Sequence, residues 1–200
     1  QKGYLVASLD NRGTSAPRGR EWRKAVYRQI GILAAADQAA GVRAMIARWP
    51  FIDPERIGSW GWSGGGTMTL NAIFRYPDLY SVGMAVASVP EQTVYDTIYQ
   101  ERYMGLPEDN EEGYEDGSPI THAANLEGDL LLVHGTGDDN CHYQGFELLV
   151  NELIANGKQF DMMSYPNRTH GIYEGKGTTM HLYTLLTNYL LEHLPPGGRN

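Results

Sequence analysis

Five short runs of apolar residues punctuate the chain, at positions 4–9, 57–60, 82–87, 130–134 and 160–165. Inside them apolar residues follow one another directly, most clearly in Leu130-Leu131-Leu132-Val133. A strand with one solvated face alternates apolar and polar residues, whereas a strand covered on both faces does not. The runs therefore predict five strands of a mostly parallel sheet lying between two layers.

Between the runs the apolar spacing becomes that of a helix. Residues 35–49 carry Val42, Met45, Ile46 and Trp49 on one face, and residues 65–76 carry Met68, Leu70, Ile73 and Phe74 before Pro77 stops them. Residues 146–154 carry Leu148, Leu149, Leu153 and Ile154 and end at Asn156-Gly157, a helix-terminating pair. Residues 179–194 place Leu182, Leu185, Leu186, Tyr189 and Leu190 together, ahead of Pro195-Pro196. Strand and helix alternate, which predicts an α/β domain with helices on both sheet faces. The acidic segment 108–116, with Gly113 and Gly117 as breaks, reads as a solvated loop. No repeat or internal boundary appears, so residues 1–200 form one domain.

Composition narrows the class. The 200 residues are 42% hydrophobic, enough for a packed core. The net charge of −8 argues against nucleic acid or an anionic membrane surface as a partner. No apolar run reaches the ~18 residues of a membrane span. A single cysteine, Cys141, rules out an internal disulfide and a cysteine-based metal site. The six histidines fall in no H-x-x-x-H or H-E-x-x-H pattern, so neither a metal nor a cofactor is expected. The chain opens on Gln1 and runs almost at once into an apolar segment without a leader pattern. We therefore expect it to be part of a longer protein.

The sharpest motif is Gly61-Trp62-Ser63-Gly64-Gly65, a G-x-S-x-G between the run at 57–60 and the helical pattern from 65. This strand–turn–helix setting is that of the nucleophile elbow of an α/β-hydrolase fold, which holds a serine hydroxyl clear of the sheet edge. Glycines on either side allow strand and helix to approach. The Gly64 N–H, at the helix start, can face a developing oxyanion.

A serine hydroxyl needs an imidazole to take its proton and a carboxylate to hold that imidazole. In this fold the chain order is serine, acid, histidine. The loop Gly135-Thr136-Gly137-Asp138-Asp139-Asn140 follows the fourth predicted strand, and both aspartates qualify as the acid. Asp139 or Asn140 also suits a capping turn before the next helix. His170 lies in the loop after the fifth predicted strand. His122 precedes the acid loop, His142 crowds it, His134 reads as a structural residue in a strand, and His181 and His193 lie on the last helix. Only His170 satisfies both order and location.

Beyond the triad candidates, the chain carries Asp10-Asn11-Arg12-Gly13, Tyr95-Asp96, Tyr99, Glu101-Arg102-Tyr103-Met104-Gly105-Leu106-Pro107, His134-Gly135-Thr136, Asp138-Asp139-Asn140 and His170-Gly171-Ile172. In these runs, over nearly its whole length, it resembles the hydrolase domain of the prolyl oligopeptidase family, most closely the dipeptidyl peptidase IV group and its bacterial members. The resemblance implies a serine peptidase that releases N-terminal dipeptides with Pro or Ala in the second position. It implies Ser63, Asp138 and His170 as triad and Gly64 as oxyanion donor. It further implies Trp62, Val89, Tyr95, Tyr99 and Asn140 as substrate-binding residues, with Asn140 on a substrate carbonyl. An upstream β-propeller, an upstream tyrosine completing the oxyanion hole, a homodimer built partly from the last helix, and a periplasmic or secreted location are implied as well.

Three positions depart from that pattern. Gly64 stands where these peptidases have tyrosine, Gln92 where tryptophan is expected, and Cys141 where valine is expected. The resemblance therefore implies a pocket that is roomier or more polar than one strict for proline.

Overall fold

Four of the five apolar runs are strands, and they pair in parallel in the order β1-β2-β3-β4. The structure is a computed structural model and describes residues 2–15 and 17–197. In chain order the elements are α1 (Gly19–Lys24), α2 (Leu33–Arg48), β1 (Gly58–Trp62), α3 (Gly64–Arg75), β2 (Val82–Val86), α4 (Thr97–Met104), α5 (Glu111–Gly117), β3 (Asp129–Gly135), α6 (Tyr143–Ala155), β4 (Asp161–Tyr165) and α7 (Thr178–His193). Short 3-10 turns lie at Gln92–Val94, Pro107–Asp109 and Pro119–Asn125. Every helix expected from spacing is present, as α2, α3, α6 and α7.

The register sets Trp62 beside Val86, Val86 beside Val133, and Val133 beside Met163. All four strands therefore end at the same edge, and the loops leaving β1, β3 and β4 meet there. The two-residue period of a strand splits β3 between two cores. Leu130 and Leu132 join Leu70, Ile73, Phe74, Phe146 and Leu149 on the face covered by α2, α3 and α6. Leu131 and Val133 join Val82, Val86, Leu182, Leu186 and Tyr189 on the face covered by α7. All seven β3 residues except Asp129 are buried, which explains its unbroken apolar run.

Two expectations are corrected. Residues 4–9 are not a strand: among the described residues no ladder hydrogen bond reaches them, and Leu5 and Val6 are 74% and 88% exposed. Apolar content allows a strand, but only a neighbouring backbone makes one. The segment is held by its ends instead. Tyr4 Oη donates to the carbonyl of Leu194 at 2.7 Å, and Gln38 Nε2 donates to the carbonyl of Leu9 at 2.8 Å. Just beyond, the Arg12 guanidinium makes a forked pair with Asp37 on α2, its Nη2 lying 2.6 Å from Oδ1.

The acidic segment is not a simple loop either. It contains the turn Pro107–Asp109 and helix α5. Glu111 and Glu112 occupy the first turn of α5, where carboxylates suit the helix dipole. Its glycines are contact points rather than breaks. A Cβ at position 117 would come within 2.3 Å of the Ile30 carbonyl oxygen, and one at 113 within 2.6 Å of that of Arg28. Among the described residues, no helix is long and apolar enough to cross a membrane.

Candidate active site

Ser63 sits between β1 and α3 with φ 58° and ψ −123°, a conformation that a non-glycine residue rarely adopts. Such strain costs on the order of 1–3 kcal/mol and persists only where surrounding bonds impose it. Here the Ser63 N–H donates to the Val86 carbonyl at 2.9 Å, and the Ser63 carbonyl accepts from Thr67 N at 3.0 Å. Gly61 is sterically required, since a Cβ there would lie 2.3 Å from the Gly65 backbone. Gly65 itself has open space where its Cβ would be; the second tight position is Gly66, 2.8 Å from the Val86 carbonyl oxygen. The Gly64 N–H opens α3 and meets no acceptor among the described residues.

Asp138 is buried at the end of the β3 loop, while Asp139 beside it is exposed. Asp138 Oδ1 accepts from the N–H groups of Asn140 and Cys141, each at 2.9 Å. The turn is thus capped by Asp138 and not by Asp139 or Asn140. Asp138 Oδ2 accepts from His170 Nδ1 at 2.8 Å and lies 3.2 Å from His134 Nε2. His170 Nδ1 therefore carries the proton, which leaves Nε2 as a lone-pair acceptor.

Burial alone would raise the carboxyl pKa of Asp138. The hydrogen bonds from His134, His170 and the Asn140 N–H, with the charge of His170, outweigh it and lower the value from 3.8 to about 2. A folded-state pKa below the unfolded one stabilises the fold above the unfolded value, and that contribution disappears as pH falls through the folded value. This shift is worth about 2 kcal/mol. The stability gap between the parent chain and Asp138→Asn is accordingly expected to narrow between pH 4 and pH 2. Acid unfolding followed by tryptophan fluorescence measures it, and a gap unchanged across that window would contradict the assignment.

A closed path of contacts links the elbow to this pair. Ser63 neighbours the Cys141 side chain. Cys141 N bonds Asp138, Asp138 bonds His170, and Trp62 Nε1 donates to the His170 carbonyl at 2.9 Å. Among the described residues no hydrogen bond joins Ser63 to His170. The loop bearing His170 is pressed onto the end of β3, where a Cβ at Gly135 would lie 2.2 Å from the Arg168 carbonyl oxygen. Gly137 N donates to that same carbonyl at 3.0 Å.

Burial, together with the nearby Asp138 carboxylate, pushes the Cys141 thiol up to about 12. The thiolate is the form that reacts with alkylating agents. Iodoacetamide at pH 8 is therefore expected to spare Cys141 in the folded chain and to alkylate it after denaturation, as read by intact mass.

Beside Ser63 opens a cavity of about 400 Å³ whose walls include Ser63, Gly64, Val89, Tyr95 and Tyr99. Tyr99 lies on α4, and Tyr95 just before it, after the turn Gln92–Val94. Their rings meet edge to face with centroids 5.5 Å apart, and Tyr103 continues the row at 4.9 Å from Tyr99. Tyr95 Oη donates to Asn140 Oδ1 at 2.8 Å. Trp62 and Asn140 do not line the cavity; the indole N–H of Trp62 is taken by the His170 carbonyl.

The profile of the prolyl oligopeptidase family (Peptidase_S9) matches residues 1–196. The chain belongs to the prolyl oligopeptidase family. It is 39% identical over 193 residues to prolyl endopeptidase FAP of Mus musculus, covering 95% of this chain and 25% of that protein. It is 37% identical over 198 residues to dipeptidyl peptidase 8 of Homo sapiens, covering 96% of this chain and 22% of that protein. The crystal structure of Porphyromonas gingivalis dipeptidyl peptidase 4 superposes with a TM-score of 0.88 at 42% identity, over 92% of this chain and 26% of that one. A putative dipeptidyl aminopeptidase IV from Bacteroides ovatus gives 0.87 at 36% identity, again over 92% of this chain and 26% of that one. The chain thus spans about a quarter of the length of these relatives. Its fold is that of their α/β-hydrolase portion.

Within this prolyl oligopeptidase domain, sequence reasoning missed two features. His134, read as structural, has its ring buried against Tyr143 and Phe146 and its Nε2 2.7 Å from the Cys141 carbonyl. A carbonyl only accepts, so His134 carries its proton on Nε2 and also faces Asp138 with it. The remaining ring nitrogen, Nδ1, has no hydrogen-bond partner among the described residues. The other feature is the buried amide pair of Gln92 and Gln100, whose Nε2-to-Oε1 bond is 2.8 Å. Gln92 stood out only as a departure from the family pattern, and nothing marked Gln100.

Proposed function

We propose that this domain is the catalytic part of a serine peptidase that releases dipeptides from free N-termini. Ser63 is the nucleophile, His170 the base and Asp138 the orienting acid. The observation that carries the reading is the path joining Cys141, Asp138, His170 and Trp62 beside the elbow serine, with His170 Nε2 left as an acceptor.

On this reading, rotation of the Ser63 side chain brings its hydroxyl to His170 Nε2. The imidazole takes the proton as Oγ attacks the scissile carbonyl. It then gives that proton to the leaving amine, and a water repeats the cycle on the acyl-enzyme. Asp138 holds the tautomer and stabilises the imidazolium. The Gly64 N–H, at the positive end of α3, donates to the oxyanion. The side chain of the residue whose carbonyl is attacked falls into the cavity beside Tyr95 and Tyr99. Asn140, tied to Tyr95, stands at the rim of the same site. The substrate's free amino group is held by an upstream propeller, as the resemblance implies.

The test is a panel of chromogenic Xaa-Pro, Xaa-Ala, tripeptidyl, N-acylated and simple ester substrates offered to the full-length protein. Release from unblocked dipeptides, lost when the N-terminus is acylated, is the expected result. Preference for the blocked forms would replace the dipeptidyl reading with that of an acylaminoacyl peptidase, and preference for the esters with that of a carboxylesterase.

A further inference from the structure

The buried carboxylate of Asp138 is met by donors at both oxygens. The Asn140 and Cys141 N–H groups reach Oδ1, each at 2.9 Å, and His170 Nδ1 reaches Oδ2 at 2.8 Å. The remaining neighbour is His134, whose Nε2 lies 3.2 Å from Oδ2, with both side chains of this contact fully buried. The proposed mechanism uses the bond to His170 and gives His134 no part.

Packing alone does not account for a histidine at this position. His134 lies near the end of β3, where the two-residue period places it on the same face as Leu130 and Leu132. Its ring stands edge-on to Tyr143 and Phe146 of α6, with centroids 5.8 Å and 5.4 Å away. An apolar side chain would suit those surroundings. The histidine instead leaves Nδ1 buried without a hydrogen-bond partner among the described residues, a cost that an apolar residue would not carry.

What an apolar residue lacks is the Nε2–H. That group donates to the Cys141 carbonyl at 2.7 Å and faces Asp138 Oδ2. One ring nitrogen thus ties β3 to both ends of the turn 138–141, the turn whose own N–H groups hold Oδ1. Without it, Oδ2 keeps only the bond to His170 among the described residues, and the Cys141 carbonyl loses its donor. The carboxylate is then freer to turn about its Cβ–Cγ bond, and the His170 ring turns with it.

Resting on the serine peptidase triad proposed above, we infer that His134 is a positioning residue for the acid: it fixes the plane of the Asp138 carboxylate and, through it, the orientation of the His170 ring.

The experiment measures kcat and KM of the full-length protein and of His134→Gln, His134→Met and His134→Phe, each also made in an Asp138→Asn background, on the dipeptidyl substrate that the parent cleaves best. Glutamine can place an amide N–H where Nε2 stands. Methionine matches its length without the donor, and phenylalanine keeps the ring contacts without either nitrogen. We expect kcat to fall about tenfold in the methionine and phenylalanine variants, the loss of one hydrogen bond to a charged group, with KM within about twofold of the parent. His134→Gln is expected to keep kcat within about threefold of the parent. In the Asp138→Asn background the same substitutions are expected to change kcat by less than about twofold, because no carboxylate remains to be held. A role confined to stability would carry the same loss into both backgrounds. Thermal unfolding shows which donor-free variant folds as the parent does, and kcat is read on that one. Parent-like kcat without the donor, no gain from glutamine, an equal loss in both backgrounds, or failure of both donor-free variants to fold overturns the inference and leaves the triad standing. Asp138→Asn that by itself leaves kcat near that of the parent overturns the triad as well.

Discussion

Ser63→Ala is expected to lower kcat by about 10⁶-fold while leaving the fold and substrate affinity nearly unchanged. The reason is local. The alanine keeps the backbone bonds from Ser63 N to Val86 and from Thr67 N to the Ser63 carbonyl, so the elbow holds its strained φ of 58°. Only the hydroxyl is removed, and with it the covalent route through an acyl-enzyme. What remains is binding in the cavity and the Gly64 N–H, which together give weak catalysis by water. A fluorophosphonate probe reads the same change without a substrate: one adduct by intact mass on the parent, none on the variant. An adduct that persists in Ser63→Ala would place the nucleophile elsewhere. Because the domain spans about a quarter of its relatives' length, the measurement belongs on the full-length protein.

Asp138→Asn is expected to cost about 10⁴-fold in kcat, with little loss in KM. The amide cannot choose its orientation. The Asn140 and Cys141 N–H groups, both 2.9 Å from Oδ1, hold the carbonyl oxygen of the new side chain at that position. The NH₂ group must then occupy the place of Oδ2, facing His170 Nδ1 and His134 Nε2. A donor facing Nδ1 forces the imidazole proton to Nε2, where it points toward Ser63 and cannot accept a proton from it. Asp139→Asn, one residue on and exposed, is expected to leave kcat within about twofold of the parent. Equal losses in the two variants would show that the acid had been assigned to the wrong aspartate.

How much of this was legible in the sequence follows from the range over which each interaction acts. The order and type of the main elements are written in local apolar spacing, and all four expected helices and four of five expected strands appear where the spacing put them. The elbow is also local. A serine between glycines, after a strand and before a helix, has few other conformations available, and the strained φ of Ser63 and the close approach at Gly61 agree with that. His170 could be reached by order and location, since parallel strands deliver their C-terminal loops to one edge.

The tertiary structure decided what depends on distant partners. Residues 4–9 have the composition of a strand, yet pairing requires a neighbouring backbone that composition does not supply. Gly113 and Gly117 look like helix breakers until the carbonyls of Arg28 and Ile30 are brought against them, and then they are what allows α5 to pack. Asp138 and Asp139 are adjacent and chemically identical; burial and four hydrogen-bond donors converging on Asp138 are what single it out as the proposed acid. His134 and Gln100 are ordinary letters in a strand and a helix. What sets the first against Asp138 and pairs the second with Gln92 is the folded geometry around them, because desolvation and hydrogen-bond geometry exist only once the surrounding segments meet.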